Sequence, residues 1–467
     1  MPPAAKKTAT KKAAAKKVAA KKAAAKKAAV PAPTDLAEWT LLIYMAGDNN
    51  LDSFGGKDIT EMKTVGSSDK LHIIVQRDSA KKGSQATRMR VRKGTSIESD
   101  VLESMGKINT GDPAVLEDFL VWGLTNYPAK RTMAVLWNHG SGWDDTDVYE
   151  EARRRNLNPV KPPSPVDAAE LRRAGAPRNG IPLFTGSGFR SSKVNRRRTR
   201  GSFFLTAWKL GQVDGQRRAI AFDDDAQDFL DSVEMKNVFA KVAAKAKRPF
   251  DVIGMDACLM SMVETGLQVQ GSGTVMCASQ EIEPGNGWPY HSILAALEKN
   301  VTMDGKTLAA LIAKEFVSSY DASEPVTQSA CHLAAMQAVA DAANALGALM
   351  AKDFDPANAA GNPAARRALS FVRDEAQPYD HPDYVDLWDF ADKLGAEHPP
   401  YANATAKVKS AIEACVFANH AVNDRVKNSH GLSIYLPREK EVSPLYKNLD
   451  FGTGGWAAFL NARAARR

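Results

Sequence analysis

No acidic residue occurs in the first 34 positions, which hold ten lysines. The 467-residue chain carries a formal charge of +8, so removing those ten leaves about −2 for everything that follows. The basic character belongs to the N-terminal stretch, and the body is near neutral. Cysteine is scarce. Cys258, Cys277, Cys331 and Cys415 are the four, and no two form a C-x-x-C pair. That spacing argues against zinc-ribbon and thioredoxin-type chemistry, and the low count suits a reducing compartment. No run approaches the roughly 18 consecutive apolar residues that a membrane-spanning helix needs. The N-terminal stretch lacks the continuous apolar segment of a secretory signal. The expectations are therefore no membrane span and a cytoplasmic location. Hydrophobic residues make up 44%, enough for a sizeable core.

The lysines come in pairs every five residues, from Lys6–Lys7 to Lys26–Lys27, separated mainly by alanine. Five residues advance a helix by about 500°, so the pairs spiral around it and make no stable face. Self-repulsion and the lack of large apolar groups predict a disordered tail over residues 1–35. Such a tail either solubilises the chain or binds nucleic acid or another polyanion by displacing counterions.

Beyond it, short apolar runs alternate with helical patterns. Thr40–Gly47, Leu71–Asp78, Thr132–Asn138, Phe250–Asp256, Gly273–Gln280 and Gly431–Pro437 read as buried strands. A hairpin is expected between about Ala86 and Lys107. Asp112-Pro113 starts a helix running to about Tyr127. Helices are also expected over Asp223–Lys247, over Leu259–Gln270 beginning at the cysteine, and over 305–350 and 405–427. Residues 144–222 are rich in Pro, Gly and Arg and read as a long insertion. The pattern predicts an α/β fold with a mainly parallel central sheet and helices on both faces. The expected division is a catalytic domain over 36–330, containing the insertion, and a helical region over 331–467 that returns a strand to the core.

Ligands in such folds bind beyond the carboxyl ends of the strands. Of the eight histidines, His139 alone directly follows a buried strand, in the segment NHGSGW, whose glycines let backbone N–H groups approach a ligand. His72 and His430 precede their strands, and His420 sits in an expected helix. Cys258 follows the strand ending at Asp256. At the start of a helix, its thiol would feel the positive end of the dipole, which favours thiolate. Cys277, Cys331 and Cys415 read as core. A Cys–His pair suits acyl transfer: thiolate attack, an acyl-enzyme, then hydrolysis. The backbone N–H groups of Gly140 and Cys258 are the candidate oxyanion donors. No Asp or Asn obviously completes a triad. Trp143 and Trp288 are candidate pocket walls. Hard oxygen ligands occur at Asp223–Asp225 with Asp228, but they match no EF-hand spacing, and a helix cap explains them equally well, so the metal ligands stay unassigned.

Taken together, LLIYMAGDNNLD, VLWNHGSGW, AFDDDAQDFLD, DVIGMDACLMSMVE, ASQEIEPGNGWPY and HGLSIYLP resemble the clostripain family of cysteine peptidases, in the family's order and over roughly residues 38–440. The resemblance implies a caspase- and gingipain-like α/β sandwich with a dyad at His139 and Cys258. It also implies cleavage of protein or peptide substrates after Arg or Lys, often with calcium dependence, and self-cleavage between the His and Cys segments. No organic cofactor is implied. Asp256 matches an acidic group of the family's specificity pocket, and a carboxylate pairs well with guanidinium or ammonium. Asn286, in EPGNGWPY, stands where the family carries Asp, which should weaken or broaden the basic preference. The insertion lies where a maturation cut would fall, and Arg190, Lys193, Arg196, Arg197, Arg198 and Arg200 are suitable sites. Two rival readings are a nucleic-acid-associated factor acting through the lysine tail and a peptide-binding pseudopeptidase.

Overall fold

A computed structural model describes residues 36–49, 51–81, 83–143, 220–223, 228–357, 362–437 and 442–465. The lysine tail, the proposed cleavage positions of the insertion, and Asp224 and Asp225 lie outside the described residues.

Thirteen strands are described: β1 Ala37–Met45, β2 Leu71–Arg77, β3 Thr87–Arg90, β4 Val101–Ser104, β5 Ala129–Trp137, β6 Ile220–Asp223, β7 Asp228–Leu230, β8 Phe250–Asp256, β9 Gly273–Ala278, β10 Val326–His332, β11 Tyr384–Asp386, β12 Val416–Val422 and β13 Ser433–Tyr435. Nine of them form one sheet in the order β12-β10-β9-β8-β5-β1-β2-β3-β4. Its centre, from β2 to β9, is parallel, and antiparallel strands extend both edges. The central strands are almost continuous apolar runs, such as Leu41-Leu42-Ile43 and Ile73-Ile74-Val75, because both of their faces are buried.

The helices sort into two packed groups. Asp52–Met62 contacts Tyr290–Lys299, which contacts Gly305–Ser318. Pro113–Asn126 contacts Ser232–Ala246, which contacts Val263–Val269, which contacts Met336–Phe354. The segment Leu333–Phe354 is long and apolar enough to cross a membrane by length and composition. Here Met336, Val339, Ala340, Ala343, Leu346 and Met350 are buried, and the helix packs against Gly455–Ala465 and Ala402–Cys415, as a core helix does.

Several elements differ from expectation. The helix expected from Asp223 starts at Ser232, after a β6–β7 hairpin in which Asp223 pairs with Asp228. Its cap is Asp231, whose side chain accepts from the Glu234 N–H while Glu234 reaches back, a full capping box. The helical stretch expected over 305–350 is interrupted by β10, whose polar residues Thr327, Gln328 and Ser329 are buried. They read as non-strand because their polarity is satisfied internally: Thr327 Oγ1 accepts from the N–H groups of Gln280 and Glu281, and Ser329 Oγ donates to the Gly431 carbonyl. The expected helix over 405–427 is Ala402–Cys415 followed by β12, which places His420 on an edge strand. That half-exposed edge shows no apolar alternation. β13, expected in the core sheet, pairs instead with β11 in a separate two-stranded sheet. The boundary expected at 330/331 falls inside β10, and the described residues from Ala37 onward form one compact unit.

Candidate functional site

β5 and β8 are adjacent, parallel and in register, with Trp137 opposite Asp256. His139 and Cys258 each lie two residues past that pair, so both leave the sheet at its carboxyl edge from neighbouring strands. The Asn138 N–H donates to the Asp256 carbonyl at 3.3 Å and carries the register one step beyond the strand. The next residue, Gly140, closes onto the cysteine. A Cβ there would lie 2.3 Å from the Cys258 carbonyl oxygen and 2.9 Å from its nitrogen, so only glycine permits the contact. Gly142, at φ +72°, is wedged against the Met262 sulfur and the Tyr384 ring, and the Tyr384 hydroxyl donates to the Ser141 carbonyl at 2.7 Å. The histidine loop is thus clamped at both ends.

Two asparagines hold its root. The Asn138 amide donates to the Ala46 carbonyl at 2.8 Å, and the Asn49 amide donates to Asn138 Oδ1 at 3.1 Å, while the His139 N–H bonds to that same oxygen. This latch joins the loops after β1 and β5. The sequence marked both as loops but did not show that they bond to each other.

Cys258 is 4% exposed. It does not open a helix: the helix begins at Val263, and the intervening turn passes through Leu259 at φ +63°. The expected dipole effect is therefore absent. Burial pushes the thiol well above its ordinary range, and the N–H groups of Glu283 and Gly140 pull the other way, the former at 3.2 Å from Sγ. The turn is stitched to its surroundings by Leu259 N–H to the Glu281 carbonyl, Ser261 N–H to the Ser279 carbonyl, and Ser433 N–H to the Ser261 carbonyl. Glu264, the last residue of the D-x-C-L-M-x-x-x-E segment, is buried and accepts from the Tyr435 N–H and the Tyr446 hydroxyl. Burial raises its carboxyl to about 7. Its role is to tie the cysteine turn to the C-terminal segment.

Asp256 is 4% exposed and accepts from the Tyr290 hydroxyl at 2.8 Å. Burial raises it to about 6, against the opposing pull of Glu283, Tyr290 and the Trp288 N–H. Asp58 lies beside it, buried, accepting from Trp137 Nε1 at 2.7 Å and raised to about 9 by burial and by the Asp256 charge. Asn286 is half-buried on the turn from Pro284 to Gly287, and a Cβ on Gly287 would lie 2.9 Å from Asp256 Oδ1. The structure therefore brings His139, Gly140 and Cys258 to one sheet edge, with Asp256 and the Asn286 turn beside them. Sequence reasoning missed Glu283, Asp58 and Tyr290 as members of this acidic neighbourhood. Glu283 was visible in EPGNGWPY, but only the fold shows that it touches the sulfur.

Both tryptophans expected as pocket walls are packed. Trp143 is 3% exposed and meets the Tyr435 and Tyr446 rings at 4.8 Å each, while Trp288 lies over Gly254. His430 hydrogen-bonds Asp386 at 3.2 Å and stacks on Trp388 at 4.2 Å. Cys277, Cys331 and Cys415 are buried free thiols. Among the described residues no group of three or more His, Cys, Asp or Glu could hold a metal ion, so calcium enters no step below.

Comparison with known proteins agrees with this architecture. The model of the clostripain family matches residues 43–155 and 206–457. An inactive zymogen C11 protease from Parabacteroides distasonis is similar at 18% identity and a TM-score of 0.58, over 91% of this chain and 98% of that one. A secreted C11 cysteine protease from Bacteroides thetaiotaomicron, solved with an irreversible peptide inhibitor, is similar at 18% identity and a TM-score of 0.56, over 91% and 99%. These likenesses show a shared fold. A comparison with curated proteins finds no match. With most of its length matched by the family model, the chain belongs to the clostripain family of cysteine peptidases.

Proposed function

We propose that the protein is an endopeptidase that cuts after Arg or Lys through a His139–Cys258 dyad. The observation that carries this reading is the register of β5 and β8, which sets the two side chains at equivalent positions beyond adjacent parallel strands, with Gly140 closed against the cysteine backbone. His139 takes the thiol proton as the sulfur attacks the scissile carbonyl, and returns it to the leaving amine. The N–H groups of Gly140 and Cys258 receive the oxyanion, and water hydrolyses the acyl-enzyme. The raised thiol makes the histidine essential, because burial leaves little thiolate without a base. Asp256, with the Asn286 turn beside it, receives the basic side chain.

Self-processing between the His and Cys segments belongs to the same proposal. It is supported by the run of Arg and Lys from Arg190 to Arg200 between them. Purified wild type and Cys258→Ala, run side by side on fluorogenic Arg-, Lys- and uncharged-ending peptides with a gel for chain integrity, test both parts. Hydrolysis of the basic peptides and chain cleavage are expected in wild type alone. Equal inertness of the two proteins contradicts the peptidase reading.

The ten lysines of the tail support an additional polyanion contact. Removing residues 1–34 is expected to abolish a salt-sensitive binding to DNA without lowering peptide hydrolysis. DNA binding that survives the deletion removes this role.

A further inference from the structure

Glu283 leaves its pocket unsatisfied. The residue is 3% exposed, and neither carboxylate oxygen accepts a well-formed hydrogen bond from an N–H or hydroxyl donor. Its main-chain N–H is committed to Cys258 Sγ, so this side chain springs from the residue that touches the sulfur. Two groups lie against its carboxyl: that of Asp256, which together with burial raises it, and the Trp288 indole, whose N–H favours the charged form without closing a well-formed bond. The neighbours are occupied by comparison: Asp256 accepts from Tyr290, and Asp58 accepts from Trp137. Burying a carboxyl that no donor satisfies is costly, so proteins rarely keep one without a use. Two carboxyls this close cannot both ionise in an empty site; they hold a proton between them until a cation arrives. Asp58 and Glu61 of the helix Asp52–Met62 face Asp256, Lys57 lies beside Asp58, and none of the three hydrogen-bonds Glu283.

We propose that Glu283, together with Asp256, is the acceptor of the cationic side chain on the acyl side of the cut bond. The inference rests on cleavage after Arg or Lys and adds the residue that supplies the charge Asn286 does not. A guanidinium entering beside Asp256 offers Glu283 the paired donors its oxygens lack, and the shared proton leaves to solvent. The alternative is that Glu283 only props the Cys258 turn through its main chain, which would affect all substrates alike.

The discriminating quantity is the ratio of kcat/KM for a peptide ending in Arg to that for the same peptide ending in citrulline, its uncharged analogue. Because the ratio comes from one preparation, it is independent of the active fraction. Glu283→Gln is expected to lower it by about tenfold or more. Glu283→Asp keeps the charge but draws it back by one methylene, so it is expected to lower the ratio less and to penalise Lys more than Arg. If both kcat/KM values fall together, or the ranking of Arg, Lys and citrulline is unchanged in whichever variant is soluble, Glu283 is a prop and the proposal fails. If wild type itself shows no preference for Arg over citrulline, the cleavage reading fails and takes the proposal with it.

Discussion

Asp58 shows how the site's electrostatics are tied to stability. Its carboxyl is raised to about 9 by burial and by Asp256, from an ordinary 3.8. The folded chain therefore keeps a proton that the unfolded chain releases. The stability linked to that proton is fully present below about pH 4 and is lost as pH climbs through 9. Asp58→Asn keeps an oxygen for Trp137 Nε1 and removes the charge. Urea unfolding at pH 6 and pH 9 is expected to show both proteins weakening with pH, because Glu264 and Asp256 also titrate there, and the variant weakening less steeply than wild type. A variant that weakens with pH as steeply as wild type would show that another group controls the slope. Residue by residue, the chemistry was readable where it follows strand ends. His139, Gly140 and Cys258 were nominated that way, and the fold brings them to one sheet edge. Asp256 was named through the family resemblance, but its partners Asp58, Glu283 and Tyr290 were not, because they come from separate parts of the chain and meet it only in the fold.

At the scale of elements, the loop after β5 is the part most sensitive to shape. Gly140→Ala would put a methyl group 2.3 Å from the Cys258 carbonyl oxygen, a contact that backbone movement alone can relieve. Peptidase activity is expected to fall at least about a hundredfold, since misplacing a reacting group by about 1 Å has that effect. Far-UV circular dichroism should keep its wild-type shape. Activity within threefold of wild type would mean that the histidine loop closes on the cysteine in some other way. The same scale shows why a helix was expected at Cys258. Leu259-Met260-Ser261-Met262 is apolar enough to read as helical, but the positive φ at Leu259 and the bonds to Ser279, Glu281 and Ser433 hold it as a turn. The thiol consequently has no helix dipole and relies on the N–H groups of Glu283 and Gly140.

At the scale of the whole molecule, the parallel centre of the sheet was legible because doubly buried strands are nearly continuous apolar runs. The antiparallel extension was not. β10 buries polar side chains that satisfy one another, and β12 is a half-exposed edge, so neither carries the apolar signature of the centre. β10 bonds the Gly431 carbonyl through Ser329, and the β13 residue Ser433 bonds the cysteine turn at Ser261, so the late HGLSIYLP segment braces that turn without joining the main sheet.

The most direct measurement is covalent trapping. An irreversible Arg-ending halomethyl ketone peptide, followed by peptide mapping, identifies the attacking sulfur. The account predicts a single adduct on Cys258 and a labelling rate reduced by about 10²-fold or more in His139→Ala. An adduct on Cys277, Cys331 or Cys415, or a rate indifferent to His139, would contradict it.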